Sequence, residues 1–284
     1  MKKFFSMIGI LTLAIVSFIY TEKTIEVAKS FDNVMTTIND VSSDYYVDPI
    51  DGMIIDDINF VPGISGREVD CDKSYKSMRK YGGFNKNMLE YKEIKPKNKL
   101  DDNLDKYIIS GNQNKNMVSI IFIVKENTDI TNVLNIIQNK NIKVNFFVDG
   151  KWLENNNELL TEIINKGHTV GNLSYNMDYT NSAFSWMDTL IKKISKDKYS
   201  YCYTEEENKN TLQICSMNRN FTIKPSMIVK TYPLKEIKES ITKGSIISIP
   251  VNKTVEQELP SIINYINSRG LEIVTLKELL KETI

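Results

Sequence analysis

The chain contains one histidine, His168, and three cysteines, Cys71, Cys202 and Cys215. A catalytic zinc site takes three protein ligands from His, Cys, Asp or Glu and keeps a position open for water. One imidazole falls short of that set. Cys71 has no His or second Cys near it in sequence, so neither a metal site nor a Cys–His nucleophile assembles around it, and it reads as a packing residue. The remaining candidates are carboxylates. Asp149, Asp178 and Glu126 fall at expected strand ends, where paired acids can do acid–base chemistry. Asp residues beside turns are ordinarily spent on capping, however, so no catalytic set is assigned to them. No metal or other cofactor is expected.

Cys202 and Cys215 flank the segment YTEEENKNTLQI, whose polar middle suits a hairpin turn between two strands. An oxidising compartment would let them bridge; otherwise they are two small apolar side chains in a core. The N-terminus bears on which compartment applies. Met1, Lys2 and Lys3 precede an apolar run from Phe4 to Tyr20, about 17 residues or roughly 25 Å of helix. The end of the run, Ser17 to Thr21, reads SFIYT and does not form a small-x-small cleavage site, and charged residues follow, so the run reads as an uncleaved anchor, with a cleaved signal as the alternative. The paired lysines would stay inside, giving a single-pass protein of the cell membrane whose chain after Thr21 is extracytoplasmic.

Charge excludes one class of partner. With 36 basic and 36 acidic side chains the formal net charge is zero, so no global field draws the protein to nucleic acid. From Thr21 to Val41, Ile25, Ala28, Phe31, Met35 and Ile38 recur at spacings of three and four, an amphipathic helix read as a stalk. Pro62-Gly63 and Gly82-Gly83 mark turns around a helical pattern from Asp70 to Tyr81. The expected organisation is an anchor over 1–21, a stalk over 22–45, a small module over 46–112 and a larger domain over 113–284.

That larger domain has a regular rhythm. VSIIFIV is a continuous apolar strand, TDITNVLNIIQNKNI a helix with Ile130, Val133, Leu134 and Ile137 on one face, and KVNFFVDG a second strand. NNELLTEIINKGH adds a helix ended by Gly167, TVGNLSY a third strand, and KGSIISIPV, TVEQELPSIINYINSRG and LEIVTLKELL continue the alternation. Strands apolar on both faces and separated by helices imply a buried parallel sheet, in a β/α barrel or a doubly wound arrangement.

Four of these fragments resemble the polysaccharide deacetylase family, also called the NodB-homology domain. KVNFFVDG is similar to the family's A-T-F-F-x-x-G strand, GHTVGN to its G-H-E-I-G-N turn, and GSIISI with ELPSIINYINSRGLEIVTLKELL to its closing strand, helix and strand. The resemblance runs from about 117 to 282 and implies an α/β fold, a distorted β/α barrel. It also implies a zinc site built from an Asp of T-F-D-D-G and two His of H-x-x-x-H, with the other Asp as base. Carried over residue by residue, the two aspartates fall on Ile123 and Val124, the two histidines on Leu173 and Met177, and a general-acid histidine on or beside Pro250. His168 matches a structural histidine. The resemblance is therefore to a degenerate member: carbon side chains offer zinc no lone pair, and Met sulfur suits softer metals.

A groove shaped for a linear polysaccharide can outlast its catalytic residues. Trp152, Tyr175, Asn176 and Asp178 are the glycan-binding candidates, since aromatic rings stack on sugars and Asn or Asp bond hydroxyls; Tyr179 and Trp186 follow closely. The expected partner is a cell-wall polysaccharide such as peptidoglycan, or an envelope protein if the chain is a scaffold in an envelope or spore-wall assembly, with the membrane engaged through the N-terminal helix. Leu173, Met177, Ile123 and Val124 distinguish the two: packed together they close the cleft, and apart they line it.

Overall fold

The computed structural model describes residues 2–283, and the chain divides into two compact units, one of residues 1–49 with 65–94 and the other of 50–64 with 95–284. The segment 46–112 is thus shared between the units. In chain order the elements are α1 (Lys2–Ser30), α2 (Asn33–Ser42), β1 (Met53–Ile55), β2 (Asn59–Val61), β3 (Gly66–Val69), α3 (Cys71–Arg79), β4 (Tyr91–Ile94) and β5 (Tyr107–Ile108). Next come β6 (Met117–Val124), α4 (Thr131–Asn139), β7 (Asn145–Val148), α5 (Gly150–Glu154), α6 (Asn157–Asn165), β8 (Thr169–Asn172), α7 (Asn181–Ser195) and β9 (Ser200–Tyr203). The chain closes with α8 (Lys209–Met217), β10 (Asn220–Ile223), β11 (Met227–Ile228), α9 (Pro233–Ser240), β12 (Ile246–Pro250), α10 (Lys253–Ser268), β13 (Glu272–Ile273) and α11 (Leu276–Leu279).

The N-terminal expectation is overturned. Among the described residues no helix is long and apolar enough to cross a membrane; Met1, the first residue of the expected anchor, lies outside them. The apolar run of about 17 residues is at the lower limit of what crosses a bilayer core, and α1 continues past it through the charged Lys23 and Lys29 to Ser30. The single-pass membrane location falls with the span. The expected stalk helix is also two helices: α1 ends, and Asp32 starts α2 by accepting from the Val34 N–H at 2.9 Å. The apolar face of α2 then has a specific destination. Ile38 is buried with Val69, Tyr75, Met78 and Leu89, a small core over the antiparallel β3–β4 pair and α3. Asp70 caps α3, where the sequence places a helix start.

The second unit is an eleven-stranded sheet with the order β1-β2-β5-β10-β9-β8-β7-β6-β12-β11, and β13 also pairs with β6. Apart from β1–β2 its pairs are parallel. The sheet curls into an α/β half-barrel of the NodB type rather than closing, since β1 and β11 end the order unpaired with each other. Strand alternation sorts β6 between two cores. Val118, Ile120, Phe122 and Val124 face the layer made by α4 to α7, α9 and α10. Ile121 and, partly buried, Ile123 face the concave side with Phe147, Leu173, Tyr203 and Phe221.

Cys202 and Cys215 form a disulfide with Cα atoms 6.3 Å apart. It does not close a hairpin: Cys202 lies on β9 and Cys215 on α8. Both sulfurs are buried against Phe184 and Ile214, so the bridge ties a helix to the sheet.

Candidate functional site

In a parallel α/β sheet, ligands are bound outside the carboxyl ends of the strands. Here that edge brings together Pro250 at the end of β12, Ile123 and Val124 at the end of β6, Asp149 after β7 and Leu173 after β8. Pro250 is directly opposite Ile123, Val124 opposite Val148, and Val148 opposite Asn172. The positions assigned by resemblance thus converge on adjacent strands, but their side chains separate. Ile123 and Leu173 pack in the concave core, and Leu173 is fully buried. Val124 is fully buried on the opposite, helix-covered face. Met177 is 38% exposed on the rim. The interior beneath the rim is filled at one further point: a Cβ on Gly171 would lie 2.4 Å from the Phe147 ring, so only glycine lets that ring cross β8.

This donor set does not fit zinc. Carbon side chains occupy the ligand positions, the thioether of Met177 is a soft ligand, and no group of three or more His, Cys, Asp or Glu able to hold a metal occurs among the described residues. The acidic alternative is not assembled either. Asp149 is buried and its two oxygens are spent: Oδ1 accepts from the Lys151 N–H at 2.8 Å, capping α5, and Oδ2 accepts from the Met177 N–H at 2.9 Å. Glu126 pairs with Lys151 at 3.7 Å, and Asp178 is exposed.

The turn after β8 is held in an unusual backbone shape. Ser174, Asn176 and Met177 have φ of 65°, 55° and 55°, a left-handed region that disfavours L-residues and persists where surroundings over-determine it. The determinants are identifiable. Asn172 Oδ1 accepts from the Ser174 N–H at 2.7 Å, Ser174 Oγ donates to the Asp178 carbonyl, and Asp149 anchors Met177. The turn presents Asn176 and Asp178 outward. Tyr175 is half-buried over Gly150, where an added Cβ would meet its ring at 2.6 Å. Burial, then a hydrogen bond and the charge of Glu154, raise the Tyr175 hydroxyl above its ordinary range.

Trp152 is not part of this rim. It is 1% exposed within the helix-side core, and its indole N–H donates to the Thr128 carbonyl at 2.9 Å. As the third residue of the short helix α5 it turns back under the strand ends rather than outward. The rim tryptophan is Trp186 on α7, 47% exposed, with its ring edge-on to Tyr175 at 6.4 Å between centroids. Its signal in the sequence is its place on α7, whose buried residues Phe184, Met187, Asp188 and Ile191 leave 186 on the outer side. Tyr179 instead turns inward and donates to the Tyr203 carbonyl at 2.8 Å.

His168 lies at the other edge of the sheet, just before β8. It is 6% exposed, Nδ1 accepts from the Val144 N–H at 3.3 Å, and its ring is edge-on to Phe146. Burial, then the charges of Lys143 and Lys166, push its pKa from 6.5 down to about 4. Between those two values the unfolded chain binds a proton that the folded chain refuses, so stability falls as pH drops from 6.5 to about 4 and is unaffected by this group above 6.5. Urea unfolding at pH 7 and pH 4.5 should show a smaller acid loss for His168→Gln than for wild type. An equal loss in both would mean that the imidazole is not buried neutral.

Residues 110–214 match the polysaccharide deacetylase family. The protein YlxY of Bacillus subtilis strain 168, described as uncharacterized, is 27% identical over 282 residues, spanning 92% of this chain and 87% of its own. Wild-type BA3943 of Bacillus anthracis, a CE4 family pseudoenzyme, aligns with a TM-score of 0.66 at 24% identity over 89% of this chain and 96% of that one. Bacillus subtilis PdaA, a family 4 carbohydrate esterase, aligns with a TM-score of 0.55 at 17% identity over 63% of this chain and 86% of that one. Residues 110–214 thus match the polysaccharide deacetylase family and lie in a half-barrel, with apolar side chains at the positions where resemblance to that family places metal ligands.

Proposed function

We propose that this chain is a zinc-free, deacetylase-like pseudoenzyme that recognises a cell-wall glycan, peptidoglycan or a related polymer, along the rim of its half-barrel without cleaving it. The observation that carries this reading is the pairing of an aromatic couple, the half-buried Tyr175 and the exposed Trp186, with the outward Asn176 and Asp178 on a rigidly held turn. Aromatic faces stack on sugar rings, and side-chain amides and carboxylates bond their hydroxyls. A filled interior with a polar, aromatic edge suits a chain lying across the surface rather than one threaded into a deep cleft. BA3943 supports the reading by analogy of fold, as a CE4 family pseudoenzyme of which a mutant has restored enzymatic activity. The Cys202–Cys215 bridge supports an oxidising compartment, where such polymers are found.

Co-sedimentation of the full chain with isolated sacculi at rising salt tests this. Saturable binding should persist at high salt, and Trp186→Ala or Tyr175→Ala should each weaken it about tenfold, the equivalent of about 1.4 kcal/mol. Binding that salt abolishes, or that both substitutions leave unchanged, would remove the rim from consideration. A second reading, a scaffold that binds an envelope protein, is favoured by the closure of the interior around Leu173. Cross-linking to such a protein without any association with sacculi would select it.

A further inference from the structure

The Cys202–Cys215 bridge lies next to the rim. Cys202 is directly opposite Asn172 in the β8–β9 pair. Asn172 holds both halves of the rim: its Oδ1 accepts from the Ser174 N–H at 2.7 Å, and its Nδ2 donates to the Phe184 carbonyl at 3.1 Å. Phe184, on the same helix as Trp186, packs with both cysteines and stacks on Tyr179 with 5.9 Å between ring centroids. From the other end of the bridge, α8 reaches the same segment. Asn210 donates to the Tyr179 carbonyl at 3.2 Å, and Asn218, at the end of α8, accepts from Ser185 at 2.9 Å and donates to Asn181 at 3.2 Å. The start of α7, and with it Trp186, thus rests on α8.

Little apolar burial attaches α8 to the sheet. Its buried side chains are Thr211, Ile214 and Cys215, whereas α10 buries Val255, Leu259, Ile262, Ile263 and Ile266. Hydrophobic attachment scales with the apolar area buried, so the position of α8 depends on the covalent bridge. We propose that oxidation of Cys202 and Cys215 sets the rim, so that glycan binding is a property of the oxidised chain and is weak in the chain folded with free thiols. The effect on binding rests on the glycan reading of the rim; the effect on its geometry does not. The step is a thiol–disulfide exchange: the two cysteine thiols lose two protons and two electrons, a sulfur–sulfur bond forms between them, and a disulfide oxidant leaves as two thiols. Both cysteines are fully buried in the finished fold, which shields the bridge from attacking thiols. Oxidation therefore accompanies folding and acts as a one-way maturation of the site in an oxidising compartment.

Two forms of the full chain test this, one oxidised and one folded under a dithiol reductant, at a temperature where circular dichroism shows both folded. Hydrogen exchange read by mass spectrometry is measured alongside co-sedimentation with sacculi. Amides of residues 174–186 should exchange about tenfold faster in the reduced chain while those of β6 and β7 are unchanged, and affinity for sacculi should fall about tenfold. Asn210→Ala with Ser185→Ala cuts contacts of α8 with the rim segment and leaves the bridge intact. In the oxidised chain this pair should reproduce both effects with little change in melting temperature. Equal exchange of residues 174–186 in the two forms, or acceleration spread evenly over the sheet, would overturn the proposal, because the bridge would then act on global stability alone. A double variant that exchanges like wild type would overturn it as well, as would equal affinity of the two forms for sacculi. If the oxidised chain itself does not bind sacculi, the glycan reading fails, and the exchange difference still decides whether the bridge sets the rim.

Discussion

Leu173→His is expected to lower the unfolding free energy by about 3–5 kcal/mol and to gain nothing from zinc, because it exchanges a fully buried leucine for a buried polar ring without partners. The position follows β8, where resemblance to the family places a metal-binding histidine, yet its side chain packs with Phe147 and Tyr203 on the concave face. Met177→His is the informative contrast. Met177 is 38% exposed and its backbone is left-handed, a conformation that histidine tolerates, so the change should stay within about 0.5 kcal/mol. Urea denaturation of both single variants and of the pair, with and without zinc, checks the argument. If zinc stabilised Leu173→His or the pair well beyond wild type, the interior would be able to open into a ligand site, and the closed packing around Leu173 would no longer explain the degenerate chemistry.

Removing the Cys202–Cys215 bridge should cost about 2–5 kcal/mol, since it closes a loop with a sequence separation of 13 and joins α8 to β9. The cost has a local address. Both sulfurs pack against Phe184 and Ile214, so the Cys202→Ala, Cys215→Ala pair leaves a void there as well as a freer unfolded chain. Melting of oxidised wild type, reduced wild type and the double variant separates the contributions. Reduction alone should lower the melting temperature, and the double variant should lie at or below the reduced protein. Equal melting of oxidised and reduced protein, with two additional free thiols detected, would show that the bridge does not form. Cys71 is free in the structure and does not compete for either partner.

Both predictions turn on which side of a strand end a side chain takes, and sequence reading is weakest there. VSIIFIV and KVNFFVDG announce strands because they are apolar at every position, and β6 and β7 follow. The helix at TDITNVLNIIQNKNI buries Val133, Leu134 and Ile137, the side chains whose spacing marks one face. At the ends of those elements the pattern stops. Trp152 and Trp186 are equally apolar letters near a rim, but a one-turn helix capped by Asp149 carries the first into the core, and the outer side of α7 carries the second to solvent. Cys215 is likewise ambiguous, because a polar segment between two cysteines fits a hairpin as well as the start of a helix; Asn208 accepts from the Thr211 N–H and makes it a helix.

What this sequence determined by itself is local or compositional: the alternation of parallel strands and helices, the deacetylase-like order of fragments, and the lack of enough His, Cys and carboxylate side chains at the family's positions to hold zinc. Those follow from residue type and period, which need no partner to be read. Tertiary structure decided the rest. It joined the N-terminal apolar run to a helix that continues to Ser30, with no helix among the described residues long and apolar enough to cross a membrane, left the sheet a curled half-barrel, and divided residues 46–112 between two units. It also sent Ile123 and Leu173 to one core and Val124 to another. Each of these outcomes depends on what packs against a surface from far along the chain, and burial against a distant neighbour outweighs the weak local preference that a short stretch of sequence expresses.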